Sequence, residues 1–207
     1  MGNNTSITEH KRHYYRELLC IGVPIIIGQL GTIILGFADT LMIGHHSTEE
    51  LAAAGLVNNI ITFILVSYMG FSYGLTPIIG KLYGMEKTDE IGQKVKNSFF
   101  ANMVVGVIFS LALIILYFNL HRIGQPEELL ALIRPYFIVN LVSVLFVGVF
   151  NTLKQFLDGI GNTKVAMWVM IMGNIVNIFG NWVLIYGVGP CPEMGLLGAG
   201  ISTLASR

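Results

Sequence analysis

The sequence predicts an all-α integral membrane protein, a polytopic helix bundle, and three observations carry that prediction. Of its 207 residues, 54% are hydrophobic and 12% charged, and soluble domains carry roughly twice that charged share. The apolar residues gather into runs of roughly 20 or more, each long enough to cross a hydrocarbon core of about 30 Å at about 1.5 Å per residue. Lysine and arginine alternate between successive connecting segments, as the positive-inside rule requires of a chain that crosses a membrane repeatedly. Formal net charge is zero, so nothing suggests nucleic acid or an acidic partner; the surroundings are membrane lipid.

Residues 1–17 read as a cytoplasmic N-terminal tail, and 18–207 as one transmembrane lobe. Span one is Leu18–Ile43, LLCIGVPIIIGQLGTIILGFADTLMI. It reads as an uncleaved first helix, because the apolar run is too long for a signal peptide and no small-residue cleavage site precedes the next span. Span two is Leu51–Ile79, long enough to tilt. Span three is Phe99–Phe118, span four runs from about Leu129 to Phe156 with Pro135 near its start, and span five is Val165–Val188. A sixth opens near Leu196 and reaches Arg207, too short to cross, so the sequence reads as stopping part-way through a helix.

Cations set the orientation. Lys11, Arg12 and Arg16 lie in the tail; Lys81, Lys87, Lys94 and Lys96 lie between spans two and three; Lys154 and Lys164 lie between four and five. The intervening segments, His45–Glu50, the connection with Arg122 and Arg134, and Gly187–Gly195, are poorer. This places the N-terminus in the cytoplasm and Asp39 toward the outer half of span one. Cys20 and Cys191 then fall at opposite ends of the membrane and are not expected to pair, since a disulfide needs Cα atoms within about 7 Å.

Asp39 is the one carboxylate deep inside a long apolar run. An acid there costs a few kcal/mol on insertion-type scales, so it should face a polar interior and serve a purpose. Along a helix, Gln29, Thr32, Gly36 and Asp39 with Thr40 fall on one face, and the other positions are mostly aliphatic or aromatic. Pro24 can loosen that helix. Span five repeats the pattern without charge: Asn174, Asn177 and Asn181 share one face. Buried amides need partners that lipid does not offer. A carboxylate with amide and hydroxyl oxygens suits a small hard cation such as Na⁺, and equally a proton. The plainer alternative is that these groups only hold helices together. Ion-coupled transport is the function this pattern favours, with no cofactor beyond the coupling ion.

Other residues carry less. His45 and His46 read as an outer turn without a third metal ligand, and Glu49 with Glu50 as the start of span two. Asp158 in FLDGIGNTK reads as a turn or cap. No P-loop, nucleophile elbow, metalloprotease helix or dinucleotide fingerprint is present, and no second acid or histidine cluster lies at membrane depth for an embedded enzyme.

QLGTIILGFADTLMIG in span one resembles the first-helix signature of the multidrug and toxic compound extrusion (MATE) transporters. LAAAGL, IIGKLYGMEKTDEIGQ, FLDGIGNTKVAMW, NIVNIFGNWVLIYG and GLLGAGISTLAS follow in the family's order and cover nearly the whole chain. The resemblance implies two six-helix lobes related by an axis along the membrane normal. This chain matches the N-terminal lobe, so the C-terminal lobe becomes an expected partner. It further implies export of small cationic amphipathic compounds across the bacterial inner membrane in exchange for Na⁺ or H⁺. The family's N-lobe acid matches Asp39, its paired span-five polar residues match Asn177 and Asn181, and its span-six hydroxyl matches Thr203. Gln29, Thr32, Thr40 and Asn174 are candidate cavity-lining residues. Some members, notably archaeal ones, carry an acid where this chain has Asn181; here the chain looks more like the NorM-like branch. Two rivals remain: a lipid-linked oligosaccharide flippase, disfavoured because the spans lack interior Arg and Lys to hold pyrophosphate, and a non-transporting fragment.

Overall fold

The computed structural model describes the backbone of residues 3–207 and the side chains from residue 15 onward, so most of the expected tail lies outside the described side chains. Seven helices occur among the described residues: α1 (Asn3–His46), α2 (Thr48–Ser72), α3 (Leu75–Gly84), α4 (Thr88–Phe118), α5 (Glu127–Gly159), α6 (Thr163–Tyr186) and α7 (Gly195–Ser206). A short 3-10 turn, Leu120–Ile123, joins α4 to α5. No strand occurs among the described residues. Among the described residues, five stretches are long and apolar enough to span a membrane: Tyr15–His46, Thr48–Gly84, Thr88–Phe118, Glu127–Gly159 and Thr163–Tyr186. The chain is a multi-pass membrane protein.

The helix boundaries follow local chemistry. α1 runs unbroken through Pro24 to His46, so the expected outer loop His45–Glu50 shrinks to Ser47 alone. Ser47 is extended, with φ −155° and ψ 138°, and its Oγ accepts from the backbone N–H groups of Glu49 and Glu50. That N-cap is worth about 1 kcal/mol. The second span differs from the expected single run: it breaks at Tyr73 and Gly74 between α2 and α3. Pro77 is the third residue of α3; it has no N–H for the Tyr73 carbonyl, and its ring crowds that oxygen. α5 begins after Pro126 with Glu127 and Glu128 in its first turn, where carboxylates suit the positive end of the helix dipole.

α5 is the hub: α2, α3, α4, α6 and α7 all pack on it, while α1 packs chiefly on α6, and α6 on α7. The main core gathers Ile43, Val57, Ile61, Tyr68, Leu113, Phe137, Val144 and Ile185. The outward faces of α4 and α6 carry exposed Phe100, Ile115, Trp168 and Phe179, a surface that fits lipid. The glycine-rich α7 lets the last two helices approach closely. A Cβ on Gly180 of α6 would collide with Ser202 Oγ, so glycine there sets the spacing that carries the candidate site.

Candidate functional site

α1 brings Asp39 to the face of α6, and one hydrogen bond joins them. Asn181 Nδ2 donates to Asp39 Oδ1 at 2.6 Å. The same nitrogen lies 3.1 Å from Asn177 Oδ1, one helical turn below. Asn177 Nδ2 then donates to Thr203 Oγ1 and to Ser206 Oγ of α7, both at 3.2 Å. Ser202 donates to the Asn177 carbonyl at 2.8 Å. Thr203 and Ser206 each donate back to their own helix, to the carbonyls of Ala199 and Thr203, at 2.9 Å. One continuous polar network thus ties α1, α6 and α7.

Burial makes this network chemically demanding. Asn177 and Asn181 are both 0% exposed, and Asp39 is half-buried at the end of the chain of bonds. Every donor hydrogen in the set is directed, but Asn181 Oδ1 is buried with no partner. A carbonyl oxygen left without a donor at a dry site costs about 1–3 kcal/mol. Beside a carboxylate, the groups that would satisfy it are a carboxyl proton, a water or a small cation. No ion pair or hydrogen bond from a lysine or arginine reaches Asp39 among the described residues; the Arg207 guanidinium donates to Ser143 Oγ at 2.6 Å instead.

The structure separates the other sequence candidates. Gln29, Thr32 and Thr40 sit on the exposed side of α1, outside the Asn181–Asn177 network. The Thr32 and Thr40 hydroxyls donate to the carbonyls one turn back, Gly28 and Gly36, at 3.2 and 2.8 Å. Asn174 packs over α1 at Gly31 and makes no hydrogen bond among the described residues. The face read from three- and four-residue spacing is therefore real, but only Asp39, at its edge, turns into the α1–α6 contact.

Three polar clusters escaped sequence reasoning. Asn102 of α4 accepts from Ser72 at 2.8 Å and donates to Thr152 of α5 at 3.0 Å, holding the α2–α3 break against both helices. Lys154, expected in a connecting segment, lies inside α5, paired with Asp158 at 2.7 Å; each is 8% exposed. Asp158 is therefore a buried ion-pair partner rather than a simple turn residue, and the spans do hold one interior lysine, already neutralised. Third, His46 stands between two carboxylates. Its one-turn spacing from Glu50 was legible in the sequence, whereas its contact with Glu193 spans 147 positions. Ser202 and Ser206 also went unremarked, although with Thr203 they form a hydroxyl-rich face readable from GISTLAS. Both cysteines are free.

Residues 24–183 match the family described as MatE. The chain belongs to this family. Among its relatives, the probable multidrug resistance protein NorM of Photorhabdus laumondii is 32% identical over 188 residues, covering 91% of this chain and 42% of the relative. The multidrug resistance protein MdtK of Klebsiella pneumoniae is 28% identical over 192 residues, covering 91% and 41%. The fold matches a MOP superfamily transporter from Pyrococcus furiosus with TM-score 0.82 at 24% identity, covering 92% of this chain and 41% of that one. An outward-facing multidrug resistance MATE family transporter gives TM-score 0.82 at 23% identity, covering 92% and 42%. This MatE chain therefore corresponds to a NorM-like N-terminal half and spans about two-fifths of the length of the relatives it matches.

Proposed function

We propose that this chain is the N-terminal lobe of a cation-coupled multidrug antiporter of the bacterial inner membrane, with its N-terminus in the cytoplasm. It works with a C-terminal lobe to export small cationic amphipathic compounds in exchange for Na⁺ or H⁺. No catalytic step is involved. The observation that carries this reading is the unpartnered Asn181 Oδ1 beside the half-buried Asp39 carboxylate. A proton or a hard cation arriving at Asp39 supplies what that oxygen lacks. Asp39 carries the charge of the coupling ion, Asn181 and Asn177 orient its ligands, and Thr203 and Ser206 transmit the change to α7. Gln29, Thr32 and Thr40 face the cavity between the lobes. Coupling requires the ion to favour one arrangement of α1 against α6 over the other, and a charge-neutralising ligand at their contact does so.

The test is Asp39→Asn in the two-lobe transporter this reading implies. The amide keeps the shape and still accepts from Asn181, so the variant should insert and melt within about 1 kcal/mol of wild type, yet lose efflux driven by a pH or Na⁺ gradient in proteoliposomes. Gradient-driven efflux near the wild-type rate from a folded Asp39→Asn protein would sink the reading.

A further inference from the structure

At the outer end of the lobe, opposite the Lys154–Asp158 pair, His46 occupies a position that the transport reading does not use. It is the last residue of α1. Its Nδ1 lies 2.8 Å from Glu50 Oε2 in the first turn of α2, and its Nε2 lies 2.8 Å from Glu193 Oε1 in the α6–α7 connection. The Tyr186 ring of α6 meets it edge-on with centroids 6.2 Å apart, and the Tyr186 hydroxyl donates to the Met42 carbonyl of α1 at 2.9 Å. Those are the titratable groups that face His46; Glu49 and His45 are exposed and share no hydrogen bond or ion pair with its ring among the described residues. Glycine at 195 is required by the same construction, because a Cβ there, at φ +54°, would strike the Glu50 carboxylate.

The proton count of this arrangement is fixed by geometry. Two carboxylate oxygens accept, so two hydrogens must be supplied between them and the ring. A neutral imidazole carries one N–H. Both contacts are therefore made only when the trio holds one proton more than a neutral ring with two carboxylates. Removing that proton leaves one nitrogen lone pair facing one carboxylate, and that contact opens. Glu193 is the arm that opens, because its side chain is 66% exposed and water can take its place, whereas Glu50 is 12% exposed.

We propose that His46 is a positioning residue: a proton-held clamp that fastens the outer end of α1, and with it the helix carrying Asp39, to α2 and to the α6–α7 connection. Protonation from the outer face closes the clamp. Deprotonation frees the α6–α7 connection and lets α1 move against α6. Its bearing on Asp39 rests on the transport reading; the clamp itself does not.

Spin labels on Thr48→Cys and Pro192→Cys, with both native cysteines replaced by serine, report the gap between α2 and the α6–α7 connection by double electron–electron resonance. The full chain in lipid nanodiscs is measured at pH 5 and pH 9. With native His46, one narrow distance at pH 5 should give way to a broad, longer distribution at pH 9. His46→Arg, always charged and able to donate to both carboxylates, should stay narrow at both values. His46→Gln should be broad at both. A distribution insensitive to pH with native His46, or a His46→Gln chain that stays narrow, overturns the proposal. Because no transport is measured, a failed clamp and a failed coupling role for Asp39 are separate results.

Discussion

Removing the Asn181 side chain tests the candidate site more sharply than removing its acid. In Asn181→Ala, Asp39 Oδ1 loses its 2.6 Å donor, and Asn177 Oδ1 loses its 3.1 Å contact. Asn177 Nδ2 keeps Thr203 and Ser206, and the orphaned Asn177 Oδ1 takes the place of the orphan Asn181 Oδ1 that the substitution removes, so the net loss is concentrated on the carboxylate. Hydrogen bonds to charged groups contribute about 1.5–3 kcal/mol, while polar side-chain contacts in membrane proteins average nearer about 0.6 kcal/mol. Asp39 is only half-buried, so water meets part of its need, and about 2 kcal/mol is the expected cost. For a chain of this size that corresponds to a fall of roughly 4–8 °C in melting temperature. The assay is a double-mutant cycle of Asn181→Ala with Asp39→Asn, melted in detergent at neutral pH and again at pH 4. If the bond is to a charged carboxylate, the two sites couple by more than about 1 kcal/mol at neutral pH and by less once acid protonates that carboxylate. Additive losses at both pH values would refute the reasoning and leave Asn181 as ordinary helix packing.

Two further outcomes follow from other parts of the lobe. With Cys20 and Cys191 removed, an impermeant thiol reagent applied to whole cells should label Ser47→Cys and spare Lys87→Cys; the opposite pattern reverses the proposed orientation. Lys154→Met should destabilise the lobe by about 3 kcal/mol, because it strands the Asp158 carboxylate at 8% exposure. The double variant Lys154→Met, Asp158→Leu should recover most of that loss in the same melting assay.

Polar residues inside an apolar run were legible in the sequence, and the helix contacts that decide their partners were not. Hydropathy alone located the spans, because a helix crossing lipid must satisfy its own backbone and show an apolar surface. The break in the second span was missed because composition does not change across it; the sole sign was Pro77, which a membrane helix often tolerates. Asp39, Asn177 and Asn181 could be picked out because a polar group in an apolar run is costly, whatever it touches. Spacing could not say which side of α1 meets α6. Gln29, Thr32 and Thr40 share a helix face with Asp39 yet lie on the exposed side, because the α1–α6 contact passes along the edge of that face. His46 shows the same limit from the other direction. Next to Ser47 and two glutamates it looks like a polar turn, and only the folded α6–α7 connection, 147 positions later, turns that histidine into a bridge between two carboxylates. The chemistry that depends on charge at a membrane depth is written locally; the chemistry that depends on which helices meet is written only in the packing.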